Sequence, residues 1–593
     1  MMQLKLLGKD ITPINTGDQQ KQKGAEFMLV MKRIAVILAI IFVFAPFSNA
    51  SVKASESTSA NVGTVTEGKV YSNATLDDHF VDNCVMVVLS NAASLSKLSY
   101  SASDFSEINC KSAVNLTEAK TNKVALKLSG GDAVASRTGS SENAQGVNLD
   151  GVNLDTFNQI LLLELEETGK DKVLAAIKML AQRADVLYAG PNYIYSINMD
   201  PVTSNENISA YLQETSSRTV TTNDTYAGNQ WAINKINLPS AWQITTGVGN
   251  SVKVGIIDCG VDASHPDLED KVTNGIRIYH SGFDNTTGAT DDQIGHGTMI
   301  AGIIGAKTNN NLGVSGVNWN VDIVSINVYD PSSQPTTASF LAAVNYAESC
   351  GVQILSCSLN VNITIDDPCT NEDEELDCCI YHSIKNYDGL IVCSAGNENM
   401  DIDDDNDRWL TNYDLDNIIV VGASAEDDTM WYSNNGSASN YGSETVDLFA
   451  PGANIYSTMS VDVCPSSHNI YSGYHISNGY HRGSGTSYAV PYVTGVASLI
   501  MAKYPNLEPH QVADRILDGV DITDAFIGKC DSHGRLNAYK ALHDHTYASA
   551  HDYYDETYHF SYCECGVTVF FAHNWVEMEG YSECTDCHTR QYS

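Results

Sequence analysis

Between residues 226 and 545, short apolar runs alternate with stretches of helical spacing. Val252–Asp258, Val321–Val328, Val352–Ser358, Leu390–Ser394 and Ile418–Ala423 read as strands, and Thr337 to Cys350 reads as an amphipathic helix between two of them. The alternation predicts an α/β fold: a parallel central sheet with helices on both faces. In such sheets sites gather at the carboxyl ends of strands, and Asp258 stands at one. Upstream the pattern changes to that of an α+β unit. Cys84–Leu89 and Gln159–Glu164 read as apolar strands, Lys172 to Ala184 sets Val173, Ile177, Leu180 and Ala181 on one helical face, and Val186–Tyr193 follows as strand and turn. Residues 197 to about 225 are rich in Thr, Ser and Asn without apolar periodicity, which suits an exposed linker open to proteolysis. From about residue 546 the chain turns aromatic and His-rich, as a small Cys/His-rich module would. The expected division is 1–50, 51–225, 226–545 and 546–593.

Composition narrows the partners. The 593 residues carry 33 Lys plus Arg against 72 Asp plus Glu, a net charge of −39. That balance argues against nucleic acid or anionic membrane as a partner and favours a soluble protein able to hold cations. Met31-Lys32-Arg33, the apolar run of 14 residues from Ile34 to Phe47, and Ser48-Asn49-Ala50 together form an export signal. The run is short for a bilayer span, so cleavage is expected rather than a stable membrane anchor, with translation beginning at Met28 or Met31. A secreted, extracellular or cell-surface protein with 15 cysteines is expected to form disulfides. Cys259, beside Asp258, is the thiol expected to stay free as a small buried hydrophobe, and Cys369 is placed to pair with Cys378 or Cys379. In the tail, Cys563, Cys565, Cys584 and Cys587 have the makings of a zinc site, with His559, His573 or His588 as substitutes, or of two disulfides.

The chemistry-bearing residues come in three segments. Val254-Gly255-Ile256-Ile257-Asp258 offers a carboxylate at a strand end, and Gly295-His296-Gly297-Thr298 a base between small residues. Gly485-Thr486-Ser487-Tyr488-Ala489-Val490-Pro491 offers a hydroxyl where a helix begins, and there free N–H groups favour developing negative charge. Serine is a poor nucleophile until an imidazole takes its proton, and a carboxylate orients that imidazole. Each residue alone could be a cap or a core residue; the set, in the order Asp, His, Ser, could be neither by chance.

These motifs resemble the subtilisin family of serine peptidases over about 226 to 545, roughly half the chain. The resemblance implies an endopeptidase acting through an acyl-enzyme, with Ser487 the nucleophile, His296 the base and Asp258 its orienter. Cys259 replaces the usual Ser or Thr. Ser394-Ala395-Gly396-Asn397 resembles the family's asparagine motif, which makes the Asn397 amide an oxyanion donor beside the Ser487 N–H. Ser358-Leu359-Asn360, with Ala395 and Gly396, corresponds to the edges that bind substrate backbone. Asn360 and Trp409 depart from the glycines expected in the pocket walls, while Glu398 and the run Asp401 to Asp407 make its rim acidic. That run alternates Asp401, Asp403, Asp405 and Asp407, a pattern that suits a cation or a solvated loop. A firmer calcium site is implied by Thr308, Asn310, Leu312 and Val314 with Asp267 and Gln230. The stretch 159–196 resembles the end of a propeptide, which implies a zymogen whose own N-terminal domain blocks the cleft and whose partners are protein or peptide substrates. The competing readings are a non-catalytic binder that keeps the fold, and an esterase, which the absence of a Gly-x-Ser-x-Gly elbow disfavours.

Overall fold

The computed structural model describes residues 70–128, 157–197 and 222–544, apart from loops at 280–284, 330–334, 363–378, 404–409 and 461–478 and scattered positions, together with strands between 552 and 592. The leader expected at 31–50 lies outside the described residues.

In the N-terminal part, β1 (Val70–Tyr71), β2 (Phe80–Leu89), β3 (Cys110–Asn115), β4 (Ile160–Leu165) and β5 (Val186–Tyr193) form a sheet in the order β1-β5-β2-β4-β3. Its helices α1 (Glu118–Leu128) and α2 (Lys170–Leu180) follow β3 and β4. Val173, Ala176, Ile177 and Leu180 are buried on one face of α2, the stripe that the 3.6-residue spacing predicts. Gly169, the N-cap with φ of 139°, starts the helix two residues earlier than the pattern suggests.

The larger part is built on β7 (Val252–Asp258), β8 (Val272–Ile278), β9 (Asn285–Thr287), β10 (Val321–Asn327), β11 (Ile354–Cys357), β13 (Leu390–Ser394), β14 (Ile418–Ser424), β15 (Leu448–Pro451), β18 (Asp521–Ile522) and β19 (Gly534–Arg535). Their order is β18-β19-β15-β14-β13-β11-β7-β10-β8-β9, parallel from β19 to β8 and antiparallel only at the β18 and β9 edges. The central strands are buried almost throughout, β13 and β14 at every position and β7 at all but one, as a sheet covered by helices on both faces requires. Those helices include α3 (His296–Gly305), α4 (Thr337–Ser349) and α5 (Thr486–Lys503). Thr336 caps α4, its hydroxyl accepting from Ser339 N–H.

Register decides which loops meet. Cys357 of β11 stands opposite Ile257 of β7 and Cys393 of β13, so Asp258, Ser358 and Ser394 leave the same end of three neighbouring strands. The α5 helix runs behind them and is buried from Thr486 to Met501.

The N-terminal unit packs on this domain. In α1, Lys120 and Lys123 both pair with Asp388, and Lys123 reaches Glu348 of α4 at 2.9 Å. Asn345 of α4 accepts the Ala119 N–H at 2.9 Å, capping the first turn of α1 across the seam. Beyond β5, the short strand β6 (Ser196–Ile197) pairs antiparallel with β12 (Val361–Asn362), just past Ser358-Leu359. Cys84, Cys110, Cys259, Cys350, Cys357, Cys393 and Cys530 carry free thiols, so disulfides expected of an exported chain are not made by these seven. Cys369 and Cys378 lie outside the described residues.

Candidate active site

Asp258 ends β7 fully buried, and His296 opens α3 at 2 % exposure. His296 Nδ1 lies 3.0 and 2.9 Å from Asp258 Oδ1 and Oδ2. A carboxylate only accepts, so Nδ1 carries the proton and Nε2 the lone pair. The Cys259 N–H donates to Asp258 Oδ1 at 2.7 Å, a second donor on the same carboxylate. Gly297 is required by a close approach: a Cβ there would stand 2.0 Å from the Gly260 carbonyl oxygen.

Ser487 is the second residue of α5, after Gly485, whose φ of 139° suits no side-chain-bearing residue. Pro491 in that helix has no N–H to give the carbonyl four residues back, which is Ser487's own. The freed carbonyl accepts the Ser358 hydroxyl at 3.0 Å, and the Ser487 hydroxyl donates to the Ser358 carbonyl, also at 3.0 Å. This reciprocal link ties the start of α5 to the end of β11. The next residue, Tyr488, packs its ring edge-on to His296 with centroids 5.5 Å apart.

Asn397 lies 7 % exposed past the end of β13. Its Oδ1 accepts both the N–H and the hydroxyl of Thr486, at 2.8 and 2.9 Å, so its Nδ2 group is turned the other way as a donor. Asn440, fully buried, braces this corner: its Nδ2 donates to the Ala395 carbonyl and to Glu398, and its Oδ1 accepts the N–H groups of Glu398 and Met400. Glu398 also takes the Asn397 N–H at 3.0 Å. The carboxylate expected to acidify the pocket rim is therefore taken up by the Asn397–Asn440 corner. Asp403 likewise turns inward, accepting the N–H groups of Ser443, Glu444 and Thr445, so it is not set to share a cation with its alternating neighbours. Asp405, Asp407, Trp409 and Asn360 lie outside the described residues, while Ser358, Leu359, Ala395 and Gly396 follow the ends of β11 and β13, all buried.

The loop expected to hold calcium closes on Asp267, but the second acidic partner beside it is Asp224 and not the Gln230 amide. Asp267 Oδ1 accepts from Asn310 Nδ2 and Oδ2 from the Val314 N–H, each at 2.8 Å, while Asn310 Oδ1 takes the Leu312 N–H. The Thr308 hydroxyl closes the loop's base against Ala306 and Gly316. Gln230 does not reach in: its amide is spent on both sides of Ser315, accepting the N–H at 2.8 Å and donating to the carbonyl at 2.9 Å. Asp224 stands there instead, accepting from Asn309 N–H, Asn310 N–H and the Ser315 hydroxyl. Asp224 and Asp267 are 6 % and 0 % exposed and form no ion pair among the described residues. Burial pushes Asp267 up to about 6. Two buried carboxylates without a cationic side chain, beside the Asn310 amide that Asp267 binds, are donor chemistry that suits a hard divalent cation. Zinc finds no such support: among the described residues no cluster of three His, Cys, Asp or Glu is built to hold a metal. Cys563 is buried with Sγ 3.7 Å from His543 Nδ1, and the side chains of Cys565, Cys584 and Cys587 lie outside the described residues.

Sequence reading missed two residues here, Asp224 and Asp292. The latter, buried, caps the start of α3 through the Gly295 and Thr298 N–H groups. An acidic residue just ahead of a helix start was the available signal.

The geometry agrees with kinship. The model of the subtilase family matches residues 249–538. Thermitase of Thermoactinomyces vulgaris is 31% identical over 326 residues, which are 54% of this chain and 99% of that protein. A thermophilic serine proteinase of Bacillus sp. strain AK1 is 28% identical, covering 62% of this chain and 76% of its own. In fold, the crystal structure of fervidolysin from Fervidobacterium pennivorans superposes with a TM-score of 0.56 at 17% identity, over 89% of this chain and 71% of that one. The chain belongs to the subtilase family and is a subtilisin-like serine endopeptidase.

Proposed function

We propose that this is a secreted endopeptidase made as a zymogen, in which Ser487 attacks the scissile carbonyl, His296 moves the proton and Asp258 orients the imidazole. The observation that carries it is the convergence of Asp258, Ser358 and Asn397 at the ends of adjacent strands with Ser487 linked to Ser358 from behind. For attack, the Ser487 hydroxyl leaves the Ser358 carbonyl and gives its proton to Nε2. The tetrahedral oxyanion forms between the Asn397 Nδ2 group and the Ser487 N–H, one of the free donors of the α5 start. Protonated His296 then passes the proton to the leaving amine, and water repeats the cycle on the acyl-enzyme. A fluorophosphonate probe should label Ser487 in the processed protein; processed protein that takes no label would favour a binder that only keeps the fold.

The N-terminal unit is read as the inhibitory propeptide. Its β6 strand lies on β12, where an extended substrate would add to the Ser358-Leu359 edge, and residues 198–221 supply the processing region. Lys120, only 4 % exposed, is the anchor. Asp388 is partly exposed and keeps Lys123 as a partner, so losing the Lys120 contact costs on the order of 1 kcal/mol, and Lys120→Ala should weaken inhibition of the mature enzyme by the cleaved N-terminal unit roughly fivefold. An unchanged inhibition constant would place the affinity elsewhere.

Asp224, Asp267 and Asn310 would hold calcium, which supplies the charge the two carboxylates lack. Chelation should lower the melting temperature by on the order of 5–10 °C, the effect of losing a tightly bound ion from a domain of this size. Asp224→Ala should abolish the difference. Equal melting curves with and without chelator would sink the assignment.

A further inference from the structure

Asp292 takes no part in the proton transfers proposed above, yet it is 2 % exposed and accepts from five donors. Oδ2 takes the N–H and hydroxyl of Thr298 at 2.9 and 2.6 Å. Oδ1 takes the N–H groups of Ile294 and Gly295 at 3.0 and 2.7 Å, and the thiol of Cys259 at 3.2 Å. Cys259 in turn touches Asp258 and the residue that follows His296. Its N–H holds Asp258 Oδ1, and its Sγ accepts the Gly297 N–H at 3.4 Å. The contacts close a ring: His296 Nδ1 to Asp258, along the chain to Cys259, across the thiol to Asp292, to Gly295, and by one peptide bond back to His296.

We propose that Asp292, acting through the Cys259 thiol, is a positioning residue that fixes the strand end carrying Asp258 against the helix start carrying His296. The inference rests on the triad reading above. Cys259 and Asp292 stand 33 positions apart in the chain, and their thiol–carboxylate contact joins the two segments beside the Gly297 N–H to Cys259 Sγ and Asp262 N–H to Thr298 Oγ1 bonds. Burial, with Asp292 and Asp258 on either side, pushes the Cys259 thiol well above its usual range, so it remains protonated and donates. Five donors aimed at one carboxylate require Asp292 to act as acceptor only, the state an ionised group provides. A hydroxyl at position 259 would make the same bond, whereas a methyl would leave Asp292 one donor short and the strand end free to shift.

The test uses the full chain, with active sites titrated by a fluorophosphonate before kcat and KM are measured on a peptide amide. Cys259→Ala should lower kcat about tenfold at unchanged KM, and Asp292→Asn, which sets an NH2 group against N–H donors, about a hundredfold, the scale of small misplacements of a catalytic group. Cys259→Ser should restore kcat to within about twofold, since it keeps the donor. A parent chain that takes no label defeats the triad reading itself. A labelled parent with Cys259→Ala equal to it in kcat overturns the positioning role, as does Cys259→Ser falling as far as Cys259→Ala, which would report packing alone. For variants that fail to mature, the downfield Nδ1 proton resonance of His296 is followed in the full chain carrying Ser487→Ala. It should move in Cys259→Ala and Asp292→Asn and stay in Cys259→Ser; a resonance unmoved in all three overturns the proposal.

Discussion

Ser487→Ala should leave the chain folded, unprocessed and inert. Loss of activity should be on the order of 10⁶-fold in kcat, the magnitude known for subtilisin, a member of the same family, when its serine is removed. The fold should survive because the substitution deletes only the hydroxyl's bond to the Ser358 carbonyl, while the Ser358 hydroxyl still satisfies the carbonyl that Pro491 leaves open. An exchange of one neutral hydrogen bond is worth about 1 kcal/mol, small against the buried length of α5. Expressed alone, the variant should therefore accumulate with its N-terminal unit still attached, the Lys120–Asp388 anchor and the β6–β12 pairing intact. Intact mass and a thermal melt read both halves of the expectation. A variant that still loses its N-terminal unit in pure form would refute self-processing, while leaving the hydrolytic role of Ser487 to the activity assay.

How much of this was legible depends on whether a feature is local. Asp258, His296, Asn397 and Ser487 sit in segments whose neighbours reveal their setting: apolar strand residues before Asp258 and Asn397, glycines where backbone must come close to His296 and at the cap before Ser487. The buried strands and the capped helix α4 were readable for the same reason. What the sequence hid are pairings between distant segments. Gln230 stood as the third piece of the calcium site because it matches the glutamine that the resembling family carries at the start of its domain. Only the fold shows its amide consumed by Ser315 and Asp224 in its place. Glu398 and Asp403 looked like a charged rim, because sequence records a carboxylate's presence but not which backbone N–H groups it must satisfy. The reciprocal Ser358–Ser487 link escaped too, although Pro491 signals a carbonyl left open four residues earlier.

Asn397→Ala should be the most damaging substitution outside the triad. Its side chain faces two ways, and the two losses are separable. The Nδ2 group is the proposed oxyanion donor, and losing such a donor lowers kcat about 10²- to 10³-fold with KM little changed, a range established on subtilisin. The Oδ1 atom holds the N–H and hydroxyl of Thr486, the first residue of α5, and orphaning buried donors costs about 1–3 kcal/mol. The alanine variant should therefore lose both rate and some melting temperature. Asn397→Asp separates the two: its carboxylate keeps acceptors for Thr486 but sets negative charge, not a donor, toward the oxyanion. It should retain most of the thermal stability while losing at least as much kcat as the alanine variant. Steady-state kinetics on a peptide amide, beside melting curves for both variants, decide the matter. If Asn397→Asp kept parental kcat, the oxyanion would have to be held by the Ser487 N–H and other backbone donors at the start of α5, and the braced Asn440–Glu398 corner would serve only to shape the pocket.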